Sequence, residues 1–266
     1  MSNTVYVYAI VPAAEQSVPP EGLDDSAVAF ERDGVLGALV SSLPGAEYSA
    51  ANVEARTADI DWLGPRAAAH DRVVTWASDR GPAVPLPMFS LYRDTDSVRA
   101  MLRERRADLE RVLASVARGR EYTLRMYRDD EALRAALPAL RPEFAARAEA
   151  IRGASPGQQY LLQRKLDAES KDALKGLGRE VASEVFDALR ALAVDAVREP
   201  PPRRAGDPAQ VPLALNASFL VARDRYEEFR AVLTTIMSRF DTKGFRFDFT
   251  GPWPAYHFVG SSADGG

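Results

Sequence analysis

Histidine and cysteine, two side chains that enzymes use widely in catalysis, are rare or absent in this sequence. Among 266 residues there are two histidines, His70 and His257, and no cysteine. Without cysteine the chain forms no disulfide, thiolate metal site, iron–sulfur cluster or thiol nucleophile. His70 shares the apolar face of a predicted helix, and the sequence indicates no acid–base partner for either histidine, which favours structural roles. We therefore expect no enzyme, no metal and no cofactor, and the alternative is an enzyme that uses a pocket near His70.

One serine stands in a pattern that is typical of hydrolases. Residues 153–157, Gly-Ala-Ser-Pro-Gly, match G-x-S-x-G, in which the serine must follow a strand and precede a helix. Here a helical segment precedes Ser155, and Pro156 and Gln158 complete the capping-box pattern of a helix start. The pattern therefore predicts a helix N-terminus and not a nucleophile.

The charged residues argue against nucleic acid and membrane as partners. The chain has 34 Lys and Arg against 38 Asp and Glu, a formal net charge of -4. Arg99, Arg103 and Arg106 line one side of a predicted helix and could bind phosphate, so a nucleic-acid binder is a second alternative. Glu104 and Asp108 are interleaved with them, however, as on a solvated face.

The apolar stretches are too short to span a membrane and the N-terminus lacks a signal-peptide pattern, so we expect a cytoplasmic protein.

The first half of the chain predicts an α+β layer. Residues 5–11 are β-branched and aromatic, which predicts a buried strand, and Asp33-Gly34 between two apolar runs predicts a hairpin. Further elements follow in the order helical region around His70, extended segment at 84–92, helix from Asp94 to about Arg118 and strand at 122–127. We expect a mainly antiparallel sheet with helices on one face, in a domain of residues 1–128.

The second half predicts another α+β domain, residues 129–266, with one unusually long helix. From Ser155 the helical spacing of apolar residues continues over about 156–198. A strand from Leu213, a helix and an alternating strand at 245–250 come next, and residues 256–259 are predicted to form a last strand. The fold class is therefore α+β, with two small domains of ferredoxin-like type whose mainly antiparallel sheets are covered by helices.

Aromatic residues are concentrated between Phe245 and Val259, where four Phe, one Trp and one Tyr occur. Large aromatic side chains more often pack a core than mark a binding site, so we expect this segment to close the core of the second domain. The alternative is an apolar surface for a partner, with Trp253 held between Pro252 and Pro254.

Several segments, in the same order along the chain, resemble the gas vesicle GvpL/GvpF family. The most specific is Thr-Gly-Pro-Trp-Pro-Ala-Tyr-His-Phe-Val at residues 250–259. The supporting segments are the opening strand at 5–10, His70 with Val-Pro-Leu-Pro-Met-Phe at 84–89, Gly-Arg-Glu-Tyr at 119–122, Asn-Ala-Ser-Phe-Leu-Val at 216–221 and Glu-Phe at 228–229. The resemblance spans essentially the whole chain. One departure is Phe89-Ser90, where the family usually carries an Arg-Phe-Gly sequence.

The resemblance implies a two-domain α+β protein that is not an enzyme and is an accessory or minor component of gas vesicles. It implies partners among the gas vesicle proteins, namely the small hydrophobic major shell protein, which such proteins contact during nucleation and assembly, and other accessory proteins. Shell subunits expose apolar surface before they assemble, and an aromatic surface on a carrier would shield it. As a hypothesis, Trp253, Tyr256 and Phe258, or the face of the long helix, form that surface, and the protein is located at the gas vesicle.

Overall fold

The chain forms two units, each with its own sheet. The computed structural model describes residues 3–15, 17–200 and 212–259. The first unit comprises Met1–Glu121 and the segment that begins at Pro252, and the second comprises Tyr122–Gly251. These boundaries differ from the predicted division at residue 128, which assigns the whole C-terminal segment to the second domain. The segment after Pro252 groups with the first unit because Ala255 and Val259 are buried in that unit's core.

The first unit is a sheet of five strands with helices packed against it. Its strands run in the order β2-β3-β1-β4, with β5 also paired to β1, and β1 pairs antiparallel with β3, β4 and β5. In chain order the elements are β1 (Asn3–Pro12), β2 (Ala29–Asp33), β3 (Leu36–Pro44), α1 (Ala50–Arg56), α2 (Ile60–Arg80), β4 (Val84–Pro85), β5 (Leu91–Tyr92), α3 (Thr95–Glu104) and α4 (Arg106–Val116). The predicted hairpin is confirmed, since β2 and β3 pair antiparallel on either side of Asp33-Gly34.

Strand β1 is buried on both faces, because apolar side chains occupy both of its alternating positions. Val5 and Val7 pack in one cluster with α3 and α4, whereas Tyr6 and Tyr8 pack in the other with α1 and α2. The register with β3 shifts between Val7 and Ala9, so Tyr8 and Ala9 point to the same side. An extra residue of this kind re-aims the side chains that follow it. The expectation that helices cover one face of this sheet is therefore wrong, since helices cover both.

The second unit is built around a four-stranded sheet and the long helix. Its strand order is β7-β8-β6-β9, and β7 pairs antiparallel with β8. In chain order the elements are β6 (Arg120–Arg128), α5 (Asp130–Leu140), α6 (Pro142–Arg152), α7 (Pro156–Arg190), β7 (Asp195–Arg198), β8 (Leu213–Val221), α8 (Tyr226–Phe240) and β9 (Phe245–Trp253). Leu177, Val181 and Val185 of α7 are buried with Phe219 of β8 and Phe229 of α8 in one core cluster. Helices and antiparallel strand pairs in both units confirm the predicted α+β class.

Helix α7 ends earlier than predicted. The helix stops at Arg190, and residues 195–198, which the helical spacing assigned to its last turn, form β7. Val197 pairs with Ser218 of β8, and the amide of Val194 donates to the carbonyl oxygen of Leu220 at 2.7 Å. These backbone hydrogen bonds to β8 outweigh the local helical pattern.

None of the helices that the structure describes combines the length and the apolar character needed to cross a membrane.

The turn before β9 requires a glycine. Gly244 has a φ of +88°, and a Cβ built there would lie 2.6 Å from the amide nitrogen of Leu133 in α5. Its carbonyl oxygen accepts a hydrogen bond from the amide of Asp129 at 2.8 Å. Because the backbone at position 244 lies so close to the first turn of α5, only a residue without a side chain fits there.

We expect Gly244→Ala to lower the free energy of unfolding by about 2 kcal/mol, since it combines left-handed strain with a backbone clash. Urea unfolding followed by circular dichroism measures this. The matched control is Gly176→Ala in α7, where a Cβ meets nothing within 4 Å and the better helix former should raise stability by up to ~1 kcal/mol. Equal changes in the free energy of unfolding for the two substitutions would show that position 244 does not require a glycine.

Candidate functional site

The three residues proposed for partner binding lie close together at the C-terminal end of the described chain, with different exposure. Trp253 is the last residue of β9 and is 46% exposed. Tyr256–Phe258 form a single turn of 3-10 helix and not the predicted strand, and Tyr256 is 37% exposed. Phe258 is half-buried and packs against the core of the first unit. Trp253 and the ring of Tyr256 thus offer apolar surface, while Phe258 supports the turn from inside.

Tyr256 is linked to the core of the first unit through His70. Nδ1 of His70 lies 2.7 Å from the hydroxyl of Tyr6, and Nε2 lies 3.0 Å from the hydroxyl of Tyr256. The Tyr6 hydroxyl also accepts a hydrogen bond of 3.2 Å from the amide of Phe89. The ring of Tyr8 stacks on His70 at 5.8 Å between centroids. These contacts join β1, α2, the loop before β5 and the C-terminal turn.

The imidazole of His70 is neutral because it is buried. The residue is 5% exposed, and burial lowers its pKa from 6.5 to about 4, although a hydrogen bond with the Leu86 backbone opposes the shift. A neutral imidazole carries one N–H and one lone pair, so one tyrosine hydroxyl donates to the ring and the other accepts from it. Burial also raises the pKa of Tyr6 and of Tyr256, and the charges of Asp71 and Glu121 raise that of Tyr256 further.

A second polar contact holds the same turn. The carboxylate of Glu121, which is 1% exposed, accepts a hydrogen bond of 3.1 Å from the amide of His257 and lies 2.5 Å from its Nδ1. A buried carboxylate is costly unless it is hydrogen-bonded, so this pairing fixes the backbone at His257. The turn is therefore attached through His70 on one side and through Glu121 on the other, which fixes the position of the C-terminal segment in the first unit.

Sequence reasoning missed these partnerships. The sequence indicated no acid–base partner for either histidine, yet His70 is buried and bonded to two tyrosines, and His257 pairs with Glu121. The expectation that the aromatic segment closes the core of the second domain is confirmed for Phe245, Phe247 and Phe249, which pack in that unit's core, whereas Ala255 and Val259 are buried in the first unit. The contacts join residues that are between 64 and 186 positions apart, and a single sequence carries no signal for such pairs.

The arrangement offers little for acid–base or metal chemistry. Both nitrogens of His70 are occupied by tyrosine hydroxyls inside the core, so this histidine is not an open base. The described stretches of the chain contain no group of three or more His, Asp or Glu residues placed to hold a metal ion. Ser155 and Gln158 form the predicted capping box at the start of α7, which confirms the structural role of that serine.

The arginine row of α3 and α4 is paired within the protein. Arg99 bonds to Glu31 at 2.7 Å, and Asp33 accepts from Arg103 at 2.9 Å and from Arg106 at 2.6 Å. The hydrogen bond from Arg103 is the main reason why the pKa of Asp33 lies below its usual value. These arginines therefore serve to hold α3 and α4 against the β2–β3 hairpin, which removes the feature that favoured a nucleic-acid binder.

Known proteins are similar to this chain in sequence and in fold. The model of the family described as gas vesicle synthesis protein GvpL/GvpF matches residues 4–260. Gas vesicle protein L from Streptomyces sp. (strain CB03234) is 29% identical over 261 residues, which cover 96% of this chain and 92% of that protein. Gas vesicle protein F from the same strain is 29% identical over 262 residues, or 96% and 99% of the two chains.

Two crystal structures show the same fold at lower identity. The gas vesicle protein GvpF from Anabaena sp. PCC7120 aligns with a TM-score of 0.72 at 19% identity, over 97% of this chain and 98% of that one. GvpF from Microcystis aeruginosa aligns with a TM-score of 0.64 at 18% identity, over 96% and 98%. The alignments cover the residues of both units.

We expect the buried His70 to make the protein less stable in acid. Its pKa is about 4 when folded and 6.5 when unfolded, so the unfolded chain binds the proton more tightly. Stability is therefore lost as the pH falls from about 6.5 to about 4, by roughly 3 kcal/mol at most for this group. His70→Gln keeps a donor and an acceptor but removes the titration, and should flatten this part of the profile.

Urea unfolding at several pH values between 7 and about 4 measures the effect. The control is His257→Gln, which replaces the other histidine and should retain the loss of stability caused by His70. A wild-type profile parallel to that of His70→Gln over this range would show that His70 is not buried in its neutral form.

Proposed function

The chain belongs to the gas vesicle synthesis protein GvpL/GvpF family, and from this membership we propose that it is a non-enzymatic accessory protein that binds the hydrophobic shell protein. Membership supports a role in gas vesicle formation. The finer proposal is that the chain binds the major shell protein before that protein assembles and assists nucleation or assembly, together with other gas vesicle accessory proteins. It would do so in the cytoplasm and at the gas vesicle.

The observation that carries the proposal is the exposed Trp253 beside a turn that is held by buried polar contacts. Trp253 precedes Pro254, which is buried and has a restricted backbone. Two residues further on, Tyr256 bonds to His70, and the next residue bonds to Glu121. A large apolar side chain is thereby presented at a fixed place, so little conformational freedom remains to be lost on binding.

The size of the apolar surface fits a contact that contributes substantially to binding. A tryptophan side chain can bury about 200 Å², and covering the exposed half would contribute roughly 2.5 kcal/mol at about 25 cal/mol per Å². The exposed part of the Tyr256 ring adds to this area. Tryptophan and tyrosine are the residue types that most often dominate the binding energy of protein interfaces. An unassembled shell subunit with exposed apolar surface is a partner that such a contact suits.

The enzymatic alternative has less support. It depended on His70 as an accessible base, and the His70 ring is enclosed by Tyr6, Tyr8 and Tyr256. The same contacts explain the histidine as a structural residue that positions the C-terminal turn. The exposed face of α7, which was the other candidate for shell binding, is charged over most of its length and apolar only at its N-terminal end, around Tyr160 and Leu161.

We expect Trp253→Ala to weaken co-purification with the major gas vesicle shell protein when the two are co-expressed. Losing about 2 kcal/mol of apolar contact corresponds to roughly 30-fold weaker binding. The wild-type complex should persist from moderate to high salt, because an apolar contact is not screened. Quantifying shell protein in the eluate at both salt concentrations measures this.

The matched control is Ile60→Ala, which shortens another apolar side chain of the first unit, one that is 80% exposed at the start of α2. It should leave co-purification unchanged. Circular dichroism and thermal melting must show that both variants are folded. Unchanged shell binding by folded Trp253→Ala would eliminate the tryptophan contact, and no binding by the wild-type protein would eliminate direct shell contact.

A further inference from the structure

The first half of α7 projects its side chains into solvent. From Pro156 to Glu169 every residue is exposed or half-exposed, and the first buried side chain of the helix is Ser170. Helix α6 packs beside this part of α7. The second unit therefore presents a long helical surface that its own core does not use.

Lysine is concentrated on this helix. The chain contains 30 arginines and four lysines, and Lys165, Lys171 and Lys175 all lie in α7. Together with Arg164 and Arg179 they form a surface that we call the basic stripe, and all five side chains are exposed. Because most of them follow at intervals of three or four residues or their multiples, the stripe runs along one side of the helix for about 22 Å.

Three acidic residues of α7 form ion pairs on its other side. Glu169 pairs with Arg147 of α6, Glu180 with Arg141 at the end of α5, and Glu184 with Arg239 of α8. Within the part of the chain that the structure describes, none of the five basic-stripe residues forms an ion pair. Three of the six acidic residues of α7 are thus paired with neighbouring segments, whereas Asp167, Asp172 and Asp187 are exposed, the first two beside the basic stripe.

The spacing of the basic stripe is unfavourable for a helix in isolation. Lys171, Lys175 and Arg179 follow one another at i, i+4, and like charges at this spacing repel on a helix surface. An acidic partner would turn this repulsion into attraction at each position. Asp167, four residues before Lys171, and Asp172, three residues before Lys175, offset part of this repulsion, and an acidic partner would offset the rest.

An apolar surface lies at the N-terminal end of the basic stripe. Tyr160 is 64% exposed and Leu161 is 68% exposed. Next to them is a groove of about 230 Å³ between α6 and α7, lined by Ile151, Leu162 and Lys165 among others. Lys165 belongs to both the groove and the basic stripe, so a bound segment could place an apolar side chain in the groove and its acidic side chains along the stripe.

We propose that the basic stripe and its apolar end form a docking surface for an acidic helical segment of a partner protein. A helix of about 15 residues would match the length of the stripe. The net charge of -4 and the single aromatic residue beside the stripe, Tyr160, disfavour nucleic acid, which needs a wider positive field and stacking side chains. The apolar residues cluster at one end, whereas a helix bound to a lipid surface needs an apolar face along its length. The surface lies in the second unit and does not depend on the proposed role of Trp253.

The test uses a labelled helical peptide of about 18 residues, with glutamates at i, i+4 along one face and two leucines at one end. Fluorescence anisotropy with the full chain should show binding that weakens as salt rises. Lys175→Glu should reduce the affinity about fivefold to tenfold at low salt, since it replaces an attraction with a repulsion. Leu161→Ser should also reduce it, by an amount that salt does not change.

Stability separates a binding effect from a folding effect. Lys175→Glu places a carboxylate four residues from both Lys171 and Arg179, so its thermal midpoint should equal or exceed that of the wild type. The control Arg230→Glu makes the same change in charge at an exposed position of α8 and should leave the peptide affinity within about twofold, since it lies outside the stripe.

Three results would overturn the inference. The first is no binding of the acidic peptide at low salt, and the second is equal affinity of wild type and folded Lys175→Glu. The third is tighter, stripe-dependent binding of a duplex DNA or of phosphatidylglycerol vesicles than of the peptide, which would assign the stripe to nucleic acid or to a lipid surface.

Discussion

The first unit depends on satisfying tyrosine hydroxyls inside an apolar core. Tyr6 is completely buried on the central strand β1, and a buried hydroxyl without a partner costs more than its hydrogen bond contributes when made. His70 meets this requirement because a neutral imidazole can donate at one nitrogen and accept at the other. The other nitrogen of His70 bonds to Tyr256. The need to satisfy the Tyr6 hydroxyl in the middle of the sheet therefore also determines where the C-terminal segment packs.

The parts of this fold that could be predicted are those whose causes are local. The apolar run of β1, the Asp33-Gly34 hairpin and the capping box at Ser155 are each specified within a few residues, and all three are present. The pairing of His70 with Tyr256 and of Glu121 with His257 joins residues 186 and 136 positions apart. These pairs arise from packing, and packing of distant segments leaves no pattern of spacing in the sequence.

The incorrect predictions also have physical causes. The helical spacing of apolar residues continues past Arg190. Residues 195–198 nevertheless form a strand, because they can make backbone hydrogen bonds to the edge of β8. The two-sided packing of the first sheet was encoded in β1, where tyrosine and valine alternate. Tyrosine carries a hydroxyl that needs a hydrogen-bond partner when the side chain is buried. Here its hydroxyl is used inside, against α2 and the 3-10 turn.

A buried polar network is often read as a sign of catalysis, but the network around His70 also explains how a turn is held in place. A hydrogen-bonded histidine fixes the geometry of what it touches whether or not a reaction takes place there. An apolar side chain on a loosely held segment would lose freedom on binding, and that loss would offset much of the apolar contact. Attachment of the turn through His70 and Glu121 reduces this loss for the backbone next to Trp253. In the proposed function, the same residues that a search for an active site would select are the ones that hold the backbone next to Trp253 in place.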